Sequence, residues 1–435
     1  MTGRRMHLGA FLFNLGNHVA GWRHPGVDPR DLMRLDFYAG LAGIAERGLF
    51  DFVFLSDGLG INDAHEAVLR HSITVRPEPL TLLGALAART THIGLAATLS
   101  TTYNEPYAAA RKLATLDFLS EGRVAVNIVT SSTWQEARNF GATAHMAHDL
   151  RYRRAAEFVR VMEALWLSWG ADAILGDQAS GVFADPDRIR PIDHAGAFFA
   201  VRGPLNVPRP PQGRPVVIQA GTSPAGQDLA VHLADVVFTL NEGLADATAR
   251  TLALKAAAKA AGRDPATLKV MPGIMPILGD TPEEAAANEA MLGDLVPPPL
   301  ALAYLSDMVG QDLTGCDPEG GLPDLGPGEG ERGRLAMIEK LAHEEGLSLG
   351  AIARRMVLAR GHKLVRGTPA QVADTLQLWF ESGACDGFNI LAPWHPGGLE
   401  AFVAGVVPEL QRRGLFRSAY AEVQLRDRLG LPPLA

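Results

Sequence analysis

Hydroxyl, amide and carboxylate side chains gather where the apolar runs of this 435-residue chain end. "FLSDGLG" delivers Asp57, and "AATLSTTYNEPY" delivers Thr98, Ser100 and Thr101. "AVNIVTSSTW" carries Asn127 inside an apolar run and Thr130–Ser132 at its tip. A fourth run, in "PVVIQAGTSPAGQDLAVHLAD", stops at Gly221, after which Ser223 and Pro224 open a helical pattern. Ser223 reads as an N-cap and Pro224 as the first helical residue. Free N–H groups and the positive end of the helix dipole then face whatever lies beyond Gly221, a ready site for a phosphate. Tyr152, in "HDLRYRRAAEF", offers a phenol to the same anion. This is hydrogen-bonding equipment with little nucleophile–base machinery. Taken singly, each residue has another use: Asp57 as a turn cap, Asn127 as a satisfied core amide, Tyr152 as packing, the Ser and Thr residues as helix caps. Their joint occurrence is what carries the argument.

The patterns that are missing narrow the chemistry. No G-x-G-x-x-G follows a strand and no G-x-x-x-x-G-K-[ST] occurs, which favours one terminal phosphate over a dinucleotide or triphosphate. There is no H-E-x-x-H, CxxC pair or G-x-S-x-G; His145 and His148 lack an acidic or histidine cluster beside them, so no metal is expected. Cys316 and Cys385 make no disulfide framework. A formal net charge of −8 argues against nucleic acid and anionic membranes as partners. No apolar run approaches the roughly 18–20 residues of a membrane helix. The opening "MTGRRMHLGAFLFNLGNHVAGWRHP" imitates a signal peptide only faintly: Asn14 and Asn17 break its apolar part and no A-x-A-like cleavage site follows. A cytoplasmic location is expected.

Eight short apolar segments read as buried strands: His7–Phe13, Asp51–Ser56, His92–Leu99, Arg123–Thr130, Pro215–Ala220, Asp235–Thr239, Lys269–Leu278 and Gly387–Leu391. Amphipathic helical patterns lie between most of them. "GTPAQVADTLQLWFESG", for instance, has Thr368 as N-cap, Pro369 at the first helical position, and Val372, Leu376, Trp379 and Phe380 on one face. Strand–helix alternation demands parallel pairing, and eight units suggest a (β/α)₈ TIM barrel over a doubly wound sheet. In a barrel the polar residues above converge on the rim formed by the C-terminal ends of the strands. Two intervals are too long for simple connections, Trp169–Arg214 after the fourth helix and Asp280–Arg366 after the seventh strand. The expectation is one elaborated barrel domain over residues 1–435, with the 280–366 insertion, which contains "TGCDPEGGLPDLGPGEGERG", serving as a lid.

The chain resembles the bacterial-luciferase-like flavin monooxygenases, in the branch of nitrilotriacetate, dibenzothiophene-sulfone and long-chain alkane monooxygenases. "GNHVAGWRHP", "FDFVFLSD", "NIVTSSTWQEARNFG", "HDLRY", "RGPLNVPRPPQGRPVVIQAGTSPAG" and "GTPAQVADTLQLWFESGACDGFNILAP" carry the resemblance in order along nearly the whole chain. It implies a luciferase-type barrel that uses reduced, dissociable FMN supplied by a separate NAD(P)H:flavin reductase, and O₂, to oxygenate a small organic substrate through a C4a-peroxyflavin. By the same resemblance Gly221, Ser223 and Tyr152 take the FMN phosphate, while Asp57, Thr101, Asn127 and Ser131 line the isoalloxazine and ribityl side. His18, within "GNHVAGWRHP", becomes the candidate catalytic residue, with a surface-loop histidine as the other reading. The resemblance further suggests a homodimer or homotetramer and a non-proline cis peptide near Ala96-Ala97. Two departures stand out: Val126 replaces the Trp common before the fourth-strand Asn, and "FNLGNH" falls where relatives vary. Both bear on the substrate. Alternatives on the same barrel are a flavin- or deazaflavin-dependent oxidoreductase, a flavin-degrading enzyme, or a non-catalytic flavin-binding protein.

Overall fold

The computed structural model describes residues 4–221, 223–240, 243–325, 338–339 and 341–434. Eight parallel strands close into a barrel: β1 (His7–Leu12), β2 (Phe52–Leu55), β3 (Gly94–Ser100), β4 (Val124–Val129), β5 (Val216–Gln219), β6 (Val236–Thr239), β7 (Lys269–Leu278) and β8 (Gly387–Ile390). Each of the eight expected segments is a strand, with ends displaced by at most two residues. The ring closes because β7 is ten residues long and serves three neighbours: its first half pairs with β6 and its centre with β8. Its last half takes an additional strand, Lys363–Gly367, outside the ring. That ninth strand escaped the sequence reading because an edge strand pairs on one side only and keeps Lys363 and Arg366, so it lacks a buried apolar run.

The pleat sends alternate side chains to the barrel axis. Phe11, Phe52, Phe54, Ala96, Ala125, Ile218, Met271 and Met275 form the axial cluster, while their chain neighbours pack outward on the helices. Leu425, Leu429 and Leu431 join the axial cluster from the C-terminal segment and plug the N-terminal end of the barrel. Asp51, fully buried at that end, accepts from Leu8 N (2.8 Å) and Arg417 Nη2 (2.6 Å) and pairs with His7 Nδ1 (3.2 Å). Burial alone would raise its pKa, but the Arg417 and His7 charges hold it well below the usual carboxylate range.

The helices start as their sequences demand. Thr368 and Gln371 form a reciprocal capping box ahead of the Pro369–Glu381 helix. Interval 169–214 folds into two small antiparallel hairpins, Ile174–Asp177 with Val182–Ala184 and His194–Ala195 with Ala200–Val201. Interval 280–366 contributes the helices Pro282–Asp294, Pro298–Val309 and Leu349–Leu358. The last two build a core of their own, with Leu300, Leu305, Ile352 and Met356 against Val19, Ala20 and Val68. The Gly/Pro/acidic run Thr314–Gly333 lies outside the described residues from 326 onward.

One expectation is corrected. The peptides around Ala96-Ala97 are trans; among the described residues the cis bonds are Gly203–Pro204 and His395–Pro396. Ala96 and Ala97 keep unbroken register with Phe54 and Leu55 on one side and Ala125 and Val126 on the other. A cis bond draws its two Cα atoms to about 2.9 Å and would interrupt that ladder.

Candidate active site

At the C-terminal mouth, aromatic side chains from three strands form a wall. Phe11 meets Phe54 edge-on at 5.0 Å between ring centroids and lies 5.7 Å from Phe238, which in turn is 5.9 Å from Phe54. The Phe238 ring stacks on His362 at 5.3 Å. Gly273 makes this stacking possible: a Cβ there would fall 2.5 Å from His362 Nδ1 and 2.7 Å from the Phe238 ring. An aromatic, largely apolar mouth suits an organic ring system.

Polar atoms without protein partners are set into this apolar frame. Asn127 Nδ2 donates to Thr98 Oγ1 (3.1 Å), leaving its buried Oδ1 unpartnered. Gln219, the last residue of β5, has a buried Oε1 in the same condition, as has Asn389 Oδ1 on β8. Such groups cost about 1–3 kcal/mol each unless a ligand or water meets them. His18, just past β1, is 2% exposed. Its Nδ1 accepts the Ala20 N–H at 3.2 Å, so the proton of the neutral ring sits on Nε2, which is buried and unpartnered. Burial, aided by the Arg360 charge, pushes its pKa down to about 3, so the ring is a neutral donor.

Ser131 sits in left-handed backbone, φ 45°, a sparsely populated region for a side chain with a Cβ. Its Oγ bonds Ser100 Oγ (2.8 Å) and donates to Glu136 Oε1 (3.1 Å), and its carbonyl accepts from Arg151 Nη1. Glu136 also accepts from Leu59 N (3.1 Å), which binds the β2 and β4 loops into one network. The Thr133–Glu136 capping box anchors it, and the T-x-x-E spacing was the signal that would have found Glu136. Thr101 is fully buried, and both its N–H and its hydroxyl donate to Val129 O. Its donors thus tie the tips of β3 and β4 together. Asp57, half-buried, accepts from Gly58 N (2.8 Å), and burial raises its pKa.

On the far side of the mouth, Ser223 caps the Pro224–Leu233 helix by accepting Gly226 N at 3.1 Å. Gly221 and Gly226 lie in close apposition, and Tyr152 joins them. A Cβ on Gly226 would be 3.1 Å from Gly221 Cα and 3.2 Å from Tyr152 Oη. A Cβ on Gly221 would strike Gln219 Nε2. The structure therefore brings Gly221, Ser223 and Tyr152 into one cradle at the end of β5, with Asn127 on the neighbouring strand; Thr222 lies outside the described residues.

The luciferase-like monooxygenase family model matches residues 6–385. The chain belongs to the luciferase-like monooxygenase family. The monooxygenase is 43% identical to N-acetyl-S-(2-succino)cysteine monooxygenase of Bacillus subtilis (strain 168), over 98% of this chain and 97% of that protein. It is 44% identical to nitrilotriacetate monooxygenase component A of Aminobacter aminovorans, over 99% and 97%. The crystal structure of DmoA from Hyphomicrobium sulfonivorans superposes with a TM-score of 0.90 at 33% identity, covering 98% of this chain and 92% of that one. The reaction class is thus flavin-dependent monooxygenation, and the family's flavin is reduced FMN. The residues present fit such a group: a cradle that a Cβ would fill, a phenol and a helix N-terminus for the phosphate, unpartnered amide oxygens for the ring system, and an aromatic wall. Among the described residues, no helix of the monooxygenase is long and apolar enough to cross a membrane.

Proposed function

We propose that this monooxygenase binds dissociable reduced FMN, delivered by a separate NAD(P)H:flavin reductase that docks transiently, and inserts one atom of O₂ into a small organic substrate at the barrel mouth. The observation that carries the reading is the pairing of the Gly221–Gly226–Tyr152 cradle with unpartnered buried polar atoms on β4, β5 and the loop after β1. Bound reduced FMN would supply the electrons that activate O₂. The chain's own part is to hold, orient and keep dry. Ser223, Tyr152 and the helix dipole hold the phosphate, and Asn127 and Gln219 orient the ring system. The network of Ser100, Ser131 and Glu136 stiffens the β3–β4 rim beside Thr101 and Asp57. Phe11, Phe54 and Phe238 exclude water. His18 presents Nε2–H as a neutral donor to the oxygen being transferred or to the substrate.

The Pro298–Val309 helix acts as a cover: Tyr304, Asp307 and Met308 line one cavity together with Phe11 and Phe13. Both curated relatives described above are named for oxygenating polycarboxylated molecules, and component A of a two-component system supports the separate reductase.

The deciding experiment is anaerobic titration with oxidised and reduced FMN, followed by turnover under ¹⁸O₂ with a reductase. Preference for reduced FMN and one labelled oxygen in product support the reading. Absence of flavin binding in either state removes it.

A further inference from the structure

A cavity of about 320 Å³ opens between the tip of β1 and the Pro298–Val309 helix, on the side of the mouth away from the β5 cradle. Its walls are Phe11, Phe13 and Tyr304, and its polar lining includes Asn17 and Arg360. The Phe13 ring carries two guanidinium groups, Arg360 with Cζ 4.6 Å from the ring centroid and Arg76 with Cζ at 5.5 Å. Arg360 also lies 5.3 Å from the Tyr304 ring. Among the described residues neither arginine makes an ion pair with a carboxylate.

Arg360 is held in place. Its Nε donates to Asn17 O at 2.8 Å, and its backbone adopts φ 51°. The outer nitrogens of its fork are left for another acceptor. Asn17 is 1% exposed, and its Nδ2 is buried without a partner. The neighbouring acids make no close ion pair with either arginine and are bonded elsewhere. Asp307 on the cavity rim is turned to Asn62 Nδ2 (2.5 Å) and His65 Nε2 (3.5 Å). Asp57 and Glu136, the acids whose charges act on Arg76, have other hydrogen-bond partners: Asp57 accepts from Gly58 N (2.8 Å), and Glu136 accepts from Leu59 N (3.1 Å), Ser131 Oγ (3.1 Å) and Thr133 Oγ1 (2.9 Å).

Two cations share the Phe13 ring, with Arg360 in the cavity lining beside an orphaned amide donor, and their mutual repulsion favours the arrival of an anion. The planar forks match carboxylate geometry, and the amide adds a third donor. We propose that Arg76, Arg360 and Asn17 form an anion subsite that recognises a carboxylate of the organic substrate, whose apolar part lies along Phe11 and Phe13 toward the barrel axis. The site reads sign and shape: a neutral ester of the same skeleton leaves both guanidiniums unpaired. The inference rests on the monooxygenase reading for what happens to the bound molecule. The binding itself can be measured without turnover.

The test is anaerobic isothermal titration of the full-length protein, with reduced FMN present, against phthalate, 2-(methylthio)succinate and their dimethyl esters. At least one dicarboxylate is expected to bind at least about tenfold more tightly than its ester, a difference of about 1.4 kcal/mol. Arg360→Gln and Arg76→Gln should each reduce that affinity by a similar factor, leaving the affinity for reduced FMN within about twofold of the parent. Arg360→Lys, which keeps the charge and loses the fork, should fall between parent and Gln variant, and it covers the case in which the Gln variant misfolds. Equal binding of acids and esters, no binding of either acid, or undiminished carboxylate binding in the variants would each overturn the proposal. So would variants that lose reduced FMN instead, since the arginines would then serve the flavin phosphate. Failure of the monooxygenase reading shows separately, as no binding of reduced FMN by the parent protein.

Discussion

His18 shows how one side chain's chemistry is set by its surroundings. Ala20 N–H occupies Nδ1, burial keeps the ring neutral, and Nε2–H is the donor that remains. Replacing it with Ala should raise the ratio of H₂O₂ to oxygenated product by roughly tenfold, the contribution of one positioned donor at about 1.4 kcal/mol, with reduced FMN still bound. Peroxide quantified alongside product checks this, and parental coupling would take His18 out of the site. The same burial has a pH signature. His18 is pushed down to about 3 and the fully buried His395 to about 4, whereas both titrate near 6.5 when unfolded. The unfolded chain therefore binds more protons between about pH 4 and 6.5, and stability rises with pH across that window. Present in full above 6.5, this contribution is lost on acidification by about 1 kcal/mol per pH unit for each histidine. Urea denaturation at several pH values should give a shallower slope for His18→Ala than for the parent; identical slopes would show that His18 binds protons equally in the folded and unfolded chains, against a pKa lowered by burial. His18 was legible in the sequence only through its motif. Its tautomer and its lack of an Nε2 partner depend on loops from β1 and β8 meeting, where His18 N donates to Pro393 O at 3.1 Å.

At the scale of elements, the Pro224–Leu233 helix and the Tyr152-bearing His148–Trp166 helix matter because their ends converge on β5. Gly226→Ala puts a methyl 3.2 Å from Tyr152 Oη and 3.1 Å from Gly221 Cα, tight enough that the cradle must open. Affinity for reduced FMN should fall at least about tenfold, or about 1.4 kcal/mol, while far-UV circular dichroism stays unchanged because Ala suits a helix interior. Unaltered FMN affinity would separate the cradle from the flavin. Ser223→Ala combines loss of the cap, about 1 kcal/mol of stability, with weaker FMN binding; a variant that loses stability alone would reduce Ser223 to a cap. The N-cap and the apolar run before it were readable because both are local. Arg151, Gln219, Arg76 and Arg360 were not, because each gains its role from an element distant in the chain. Arg360 meets Phe13 and Asn17 across more than 300 residues, and nothing in "VLARGHKL" announces that.

For the whole molecule, the two ends of the barrel divide the labour: the C-terminal rim carries unpartnered polar groups, and the N-terminal end is sealed. Asp51, Arg417 and His7 tie the C-terminal segment to β1 and β2, and Leu425, Leu429 and Leu431 fill the axis behind them. Arg417→Met strands the buried Asp51 carboxylate and should cost about 3–5 kcal/mol, read as a drop in the denaturation midpoint. A loss below about 1 kcal/mol would mean that the ion pair adds little beyond what hydration supplies. Barrel class and the placing of eight strands were determined by the sequence alone, because the period of buried β-branched and apolar residues and the caps of the intervening helices are local properties. Ring closure through the ten-residue β7, the edge strand Lys363–Gly367, the C-terminal plug and the arginine pair over Phe13 were decided only by the tertiary structure. Each is a contact between segments far apart in the chain, and its free energy comes from groups that a local window never contains together.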